Sequence, residues 1–348
     1  MISSYGRAPS TLYSHLLRRN TNAELQRDLS TAEQELSTGV HADVYQSLGA
    51  GAAEALDLNA SIARDEAQVT ANKLLSGRID TMSQSLTAIR EALQPALEQA
   101  VSSGNLGSGA ALRTAAEAAL NSLISLGNAT YGGRLVFGGT GALQQWSMPR
   151  NDTGLSPEGV IADALSAGLA TPADLSARMA DLDAIFGGTA ADPAKQYDNL
   201  FYRGQMGGGR ASVGIGNDDV LTYGVQANDT AFRDALQGLS MLASVELDAI
   251  PDPQVLAGWV DAATSLIEKG SAGFLALETE LDSSSTRIDN ANERMQDRMA
   301  LYKGRVSDLV SVDPYEAATR ITALETQLQA SYAVTARLSS LSFLNFMR

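Results

Sequence analysis

The chain ends in the stretch DPYEAATRITALETQLQASYAVTARLSSLSFLNFMR (Asp313–Arg348), and this stretch decides the fold. Asp313 can cap a helix, Pro314 suits the first helical position, and Glu316 stands where a side chain can reach back to the cap. After Pro314, apolar residues recur at helical spacing and neither Gly nor Pro interrupts them. The stretch therefore predicts one helix of roughly 35 residues, which is about 50 Å long.

The start of the chain predicts a matching helix. Leucines from Leu12 to Leu36 follow helical spacing, and Gly39 ends the run because glycine readily adopts positive φ. We expect the two terminal helices to pair as an antiparallel coiled coil. One stripe per helix cannot cover the apolar cluster at 341–347, so we predict that these helices also bind other molecules. The predicted assembly residues are Leu12, Leu16, Leu25, Leu29, Leu36, Ile321, Leu324, Leu328, Leu338, Leu341, Phe343, Leu344 and Phe346.

Further long helical tracts lie between the two ends of the chain. Helical spacing predicts helices over about 50–101, 110–126, 230–245 and 253–310. Pro95 is expected to kink or shorten the first of these tracts. Gly270 and Gly273 are expected to weaken the last, since glycine is a poor helix former. These tracts predict a long-helix bundle.

Residues 134–228 have a different composition, rich in Gly, Pro, Asp and Asn. Arg134–Phe137 predicts a short strand, 212–215 and 220–225 predict a hairpin, and a helix is expected near 172–184. The predicted fold class is therefore mainly α with a small β-rich insert, in which the N- and C-terminal helices pair antiparallel. The predicted segments are an N-terminal helix (1–39), two parts of a helical bundle (40–133 and 229–312), the insert (134–228) and a C-terminal helix (313–348).

The composition argues against several classes of function. The chain has 348 residues, a net charge of −15 and no cysteine. The negative charge repels phosphate backbones and anionic lipids, so we expect neither nucleic-acid binding nor membrane insertion. A chain without cysteine has no disulfide, no thiolate metal site and no Cys nucleophile. Residues 1–20 lack the apolar core of a signal peptide, and no apolar run reaches the roughly 20 residues that span a bilayer.

No pattern in the sequence predicts catalysis, a cofactor or a metal site. His15 and His41 have no second ligand at metal-binding spacing, and we interpret both as structural. The glycines at 132–133 and 207–209 do not precede the Lys-Ser/Thr pair of a nucleotide loop, and we interpret them as turns. The sequence therefore favours a structural protein over an enzyme.

Several short segments, taken together, resemble the flagellin superfamily. The segment LSTG (36–39) is similar to the one that closes the first terminal helix in flagellins. The segments NATYGGRLVFGGT (128–140) and LSFLNF (341–346) resemble parts of the hook–filament junction proteins of that superfamily, hook-associated protein 3 of the FlgL type. FYRG (201–204) and LTYGVQAND (221–229) resemble the insert of the same proteins. The resemblance covers nearly the whole chain.

This resemblance implies a structural role in the bacterial flagellum, outside the cell. The chain would be exported unfolded through the flagellar type III channel, without a cleaved signal peptide. It would self-assemble through its terminal helices, as a ring or tubular lattice, between hook-associated protein 1 and flagellin. A flagellar export chaperone would cover the C-terminal helix beforehand.

Two alternative functions stay open at the level of the sequence. One is filament flagellin itself, which shares the fold but is present in many more copies. The other is a soluble acidic helical adaptor, whose monomer would keep its binding after the loss of residues 338–348. We also expect residues of about 1–40 and 310–348 to be largely disordered in the monomer and to order on assembly.

Overall fold

Long runs of alanine, leucine and polar residues fold into helices along most of the chain. The computed structural model describes residues 11–49, 51–102, 109–137, 142–150, 153–202 and 210–346, with residues 11–12, 14–15 and 338–346 described by their backbone alone. In chain order the helices are α1 (Thr11–Thr38), α2 (Val44–Leu48), α3 (Gly51–Ser102), α4 (Gly109–Gly127), α5 (Pro157–Leu165), α6 (Pro172–Phe186), α7 (Tyr197–Leu200), α8 (Thr230–Ala243), α9 (Pro253–Val310) and α10 (Pro314–Phe346).

The predicted fold class, mainly α with paired N- and C-terminal helices, is confirmed, and the strands of the described residues are few and short. Helix α1 ends just before Gly39, whose φ is +70°. Helix α10 begins at Pro314, and the amide of Tyr315 donates to Asp313 Oδ1 at 2.8 Å, as expected of a capping residue. Pro95 lies within α3 and does not end it. The long helices therefore follow the sequence pattern closely.

Two hairpins contain the strands of the described residues. Strands β1 (Thr130–Tyr131) and β2 (Arg134–Leu135) pair antiparallel. The two residues between them, Gly132 and Gly133, both have positive φ, as a type I′ turn requires. The predicted strand Arg134–Phe137 is wrong in its second half. Strand β2 ends at Leu135 because the chain bends there and buries the side chains of Val136 and Phe137, although the amide of Val136 still donates to the carbonyl of Ala129 at 2.9 Å.

The second hairpin was predicted and is confirmed. Strands β3 (Ala211–Gly216) and β4 (Asp219–Tyr223) pair antiparallel, with Ala211 opposite Tyr223. An irregularity lies between Gly214 and Gly216, near the turn. The turn residue Asp218 has a φ of 53°, which aspartate tolerates better than most residues.

The insert contains more helix than its composition predicted. Helix α6 confirms the helix expected near 172–184, but α5 was not predicted. Both helices start at a proline that follows a capping residue. Ser156 accepts from the amide of Gly159 at 3.1 Å, while Thr171 and Asp174 form a capping box. Some of the prolines and small polar residues of the insert thus mark helix starts rather than loops.

By its contacts, the described chain divides into two units. The first unit runs from α1 to Glu66 and from Gln296 to the end of α10. In it, α1 packs against α10, and the start of α3 pairs with the last part of α9. Asp65 accepts two hydrogen bonds from the guanidinium of Arg298, at 2.7 and 2.8 Å. A bidentate pair of this kind fixes the register of the two helices.

The second unit, Ala67–Met295, contains the large buried side chains. Trp259 and Phe274 on α9 and Phe232 on α8 are all fully buried. The Phe232 and Phe274 rings meet edge to face, 4.9 Å between centroids. The indole of Trp259 donates to the carbonyl of Met241 at 3.1 Å, so its polar atom is satisfied inside the core.

In the same unit, the hairpin β3–β4 lies on α3 and α9. Asn72 of α3 is 1% exposed and donates both to the carbonyl of Ile215 at 2.8 Å and to Asn292 Oδ1 on α9 at 2.9 Å. Near the turn, Arg287 donates to Asp219 Oδ1 at 2.8 Å. A buried amide at the centre and an ion pair at the edge thus hold the hairpin on the helices.

Candidate assembly surface

The terminal helices α1 and α10 form an antiparallel pair, as predicted. In the first half of α1, Asn22 accepts a hydrogen bond from the hydroxyl of Ser331, midway along α10. Near the end of α1, a carboxylate oxygen of Glu35 lies 3.7 Å from the guanidinium of Arg320. Residue numbers that increase along α1 therefore pair with residue numbers that decrease along α10.

The contact between these helices buries few side chains. Among the side chains that the structure describes on α1 and α10, the buried ones are Ala32, Glu35 and Ala317. Alanines at the contact let the two backbones approach each other, but they bury little apolar area. The large side chains beside them stay partly accessible. The pair by itself therefore leaves much of its apolar surface uncovered.

A buried carboxylate closes one end of the pair. Glu35 is 6% exposed. Its Oε1 accepts a hydrogen bond from the amide of Ala42 at 3.1 Å and lies 3.5 Å from His41 Nδ1. The amide of His41 donates to the carbonyl of Val310 at 3.0 Å. Glu35 thus ties the turn after α1 to the chain entering α10. Sequence reasoning interpreted His41 as structural but missed its neighbour Glu35.

The predicted assembly residues fall into three groups. Leu25 and Leu29 on α1 and Ile321, Leu324 and Leu328 on α10 are half-buried, which is the exposure expected at the edge of a helix pair. Leu16 and Leu36 are exposed, at 51% and 41%. The side chains of the remaining residues lie outside the described part of the chain: Leu12, Leu338, Leu341, Phe343, Leu344 and Phe346.

The structure adds exposed apolar residues that sequence reasoning missed. Tyr13 and Leu17 flank Leu16 on α1 and are 60% and 56% exposed. Tyr332 and Val334 on α10 are 46% and 51% exposed. Tyr332 also accepts a hydrogen bond from Gln26 Nε2 at 2.8 Å, so it lies beside α1. The sequence could have pointed to Leu17, since it directly follows Leu16. It was left out because only one apolar stripe was considered on α1.

A polar cavity of about 490 Å³ in the second unit is another candidate site. Its lining includes Arg233, whose guanidinium donates to Asp198 at 2.9 Å and lies 4.9 Å from the centroid of the Tyr197 ring. Burial raises the pKa of two lining carboxyls, Asp229 and Asp234. The described residues contain no group of three His, Cys, Asp or Glu side chains placed to hold a metal ion. Arg233 is bound by partners within the chain, so we interpret the cavity as a structural ion-pair site.

Two other sequence observations can be placed on the structure. Gly132 and Gly133 form the turn between β1 and β2, as interpreted from the sequence. The glycines at 207–209 and the side chain of His15 lie outside what the structure describes. None of the helices in the described ranges combines the length and the apolar character that a membrane span requires.

These features define a class of protein: mainly helical chains that pair their first and last helices around an inserted segment. Residues 10–142 match the bacterial flagellin N-terminal helical region, and residues 264–347 match the bacterial flagellin C-terminal helical region. No individual curated protein matches the chain. The chain belongs to the flagellin superfamily, whose members self-assemble into the extracellular bacterial flagellum. It is a structural flagellar subunit involved in motility.

Proposed function

We propose that this chain is the hook–filament junction subunit, the hook-associated protein 3 type of the superfamily. It self-assembles through its terminal helices into a ring between hook-associated protein 1 and flagellin. The observation that carries the proposal is the exposure of large apolar residues on α1, above all Leu16 and Leu17. Burying such a side chain in a neighbour contributes about 1.5–3 kcal/mol, so a few of them support a stable contact between subunits.

The choice of the junction over the filament is supported by the sequence. The segment at 128–140, which contains β1 and β2, and the ending at 341–346 resemble junction proteins more than filament flagellins. In this proposal the segments 1–39 and 313–348 make the subunit contacts, and the insert at 134–228 faces the solvent. The chain is exported through the flagellar type III channel without a cleaved signal peptide, after an export chaperone has covered its C-terminal helix.

The location of the protein tests this proposal directly. Gold-labelled antibodies against the chain should mark one narrow band between hook and filament on isolated flagella. Label along the whole filament, with thousands of copies, would overturn the junction role and favour filament flagellin. Quantitative mass spectrometry of the same flagella gives an independent count of copies relative to hook protein.

The surface itself is tested by substitution of exposed leucines. A variant with Leu16→Asp and Leu17→Asp removes apolar surface that the monomer does not bury, so its helix content should be unchanged by circular dichroism. Cells that make it should carry hooks without filaments and release flagellin into the medium. The matched control is Leu301→Asp, a 71% exposed leucine that belongs to α9 and not to the terminal helix pair. Normal filaments on cells with the double variant would contradict assembly through this surface.

The adaptor alternative makes a different prediction. Removal of residues 338–348 should leave an adaptor folded and able to bind its partner. A junction subunit lacking the same residues should fold but fail to join the flagellum. Electron microscopy of cells with the truncated chain therefore separates the two functions.

A further inference from the structure

The far end of the terminal helix pair is cationic, although the chain as a whole is strongly acidic. We call residues 11–23 of α1 and 326–346 of α10 the cationic end. It contains Arg18, Arg19 and Arg337 and no Asp or Glu. Arg19 and Arg337 are exposed and Arg18 is half-buried. The antiparallel pairing shown by Asn22 and Ser331 brings these arginines to the same end.

The other half of the same pair is acidic. We call residues 24–38 of α1 and 314–325 of α10 the acidic half. It contains two arginines, Arg27 and Arg320, against the six carboxylates Glu24, Asp28, Glu33, Glu35, Glu316 and Glu325. Glu35 is buried beside Arg320, but Glu24, Glu33, Glu316 and Glu325 are exposed. The pair thus carries opposite charges at its two ends.

The cationic end also carries the exposed apolar residues. Leu16 and Leu17 directly precede Arg18 and Arg19, and Val334 lies one turn before Arg337. A surface that combines exposed leucines with arginines fits a partner that offers both carboxylates and apolar side chains. The acidic half offers this combination, since Leu36, 41% exposed, lies next to Glu33 on the helix surface.

We propose that the cationic end of one subunit docks on the acidic half of the terminal pair of a second copy. The partner is another molecule of this chain, parallel to the first and shifted along the helix axis. Glu33 follows Arg19 by fourteen positions, so the shift is about 20 Å. This inference rests on the proposed function, and it specifies how the terminal helices bind each other.

A contact of this kind has a consequence for the assembly. Its two sides are different surfaces of the molecule, so the interface is heterologous. After two subunits dock, the first still presents its acidic half and the second still presents its cationic end, so further copies can add. Heterologous contacts generate rings when the rotation closes and helical lattices when it does not. Copies with a net charge of −15 repel each other elsewhere, so the local attraction also selects this orientation.

Charge reversal in the purified full-length chain tests the inference. Variant A carries Arg18→Glu and Arg19→Glu, and variant B carries Glu33→Arg and Glu325→Arg. Each variant alone juxtaposes like charges, so we expect its self-association in 0.1 M NaCl to fall about tenfold relative to the unaltered chain. In an equimolar mixture each reversed surface meets an opposite charge on the other variant. Sedimentation velocity should therefore show that the mixture regains the assemblies of the unaltered chain.

Two controls make the result specific. Arg64→Glu with Lys73→Glu gives the same change in net charge as variant A, but at exposed positions of α3, and this control should assemble normally. Raising NaCl from 0.1 M to 1 M shortens the screening length from about 10 Å to about 3 Å and should weaken assembly of the unaltered chain. Circular dichroism of each variant, compared with the unaltered chain at a concentration where both are monomeric, verifies that the substitutions leave the overall helix content unchanged.

Several outcomes would overturn the inference. The inference fails if variants A and B each associate like the unaltered chain. It also fails if their mixture stays monomeric, or if the unaltered chain does not associate at low salt. An unaltered chain that stops at a dimer would also overturn it. In such a dimer the two copies would overlap antiparallel, so that both surfaces of each copy are used and no further copy can add. The gold-label experiment is independent of these results. The junction role can therefore fail while charge-dependent assembly holds, or the reverse.

Discussion

At the scale of single residues, Asn72 shows how one side chain can organise the second unit. It is 1% exposed, it donates to the backbone of β3 and to the side chain of Asn292, and its own Oδ1 accepts from Gln68 Nε2 at 3.0 Å. A buried amide is stable only when its donors and acceptor find partners. Asn72 meets this condition, so it fixes the position of the hairpin between α3 and α9.

We predict that Asn72→Ala destabilises the second unit by about 1–3 kcal/mol, the cost of leaving buried polar groups without partners. The carbonyl of Ile215 would lose its side-chain donor and could not reach bulk water. Urea unfolding followed by tryptophan fluorescence measures the effect, because Trp146 and Trp259 both lie in this unit. Asn290→Ala, at an exposed position of α9, is the control and should change stability by less than about 0.5 kcal/mol.

The role of Asn72 could not be predicted from the sequence. Its partners Ile215 and Asn292 are 143 and 220 positions away, and no local pattern marks such a contact. Glu35 was missed for a similar reason, since it resembles any acidic residue near the end of a helix. The half-buried leucines of α1 and α10 could be predicted, because helical spacing alone places them on one side of each helix.

At the scale of elements, α8 and α9 approach so closely that only glycine fits at positions 238 and 270. A Cβ on Gly270 would lie 2.7 Å from Ala235 Cβ and 2.8 Å from the Ala235 nitrogen. A Cβ on Gly238 would lie 2.5 Å from the carbonyl oxygen of Ala263. The sequence marked Gly270 as a weak point of α9, but the structure gives it a packing function. Glycine at this position lowers the helix propensity of α9, but it allows the two helices to pack in close contact.

We predict opposite effects of alanine at two glycines of α9. Gly270→Ala should destabilise the protein by about 1–3 kcal/mol, since the new methyl group overlaps the backbone of α8. Gly304→Ala should stabilise it by about 0.5–1 kcal/mol, because no atom lies within 4 Å of the new Cβ and alanine favours the helix. Thermal unfolding followed by circular dichroism measures both effects. A stabilising Gly270→Ala would show that α8 and α9 separate easily.

The elements themselves were predicted with unequal success. The bounds of α1, α3, α4 and α9 follow from local spacing and from the residues that start and stop helices. Helix α5 was missed because it is short and lies in a segment rich in Gly and Pro. Its start at Pro157 after the cap Ser156 is a genuine helix signal, but nine residues give too little periodicity to outweigh the composition.

At the scale of the whole molecule, the two units bury their side chains very differently. The second unit encloses Trp259, Phe274 and other large rings, all inaccessible to solvent. In the first unit, the described contact between α1 and α10 buries alanines and a carboxylate while the leucines beside them stay half-buried or exposed. Hydrophobic stabilisation follows the apolar area that is buried. We therefore expect the terminal helices to open far more easily than the second unit.

Hydrogen exchange measures this difference directly. In the purified monomer, we predict fast amide exchange over α1 and α10 and slow exchange over residues 255–295, because local opening needs less free energy where few apolar contacts are lost. In assembled flagella the amides of α1 and α10 should become protected, since neighbours then cover Leu16, Leu17 and Leu36. Equal protection of α1 and of residues 255–295 in the monomer would contradict the prediction. In that case the terminal pair would be stable before assembly, and its exposed leucines would bind neighbours without any coupled ordering.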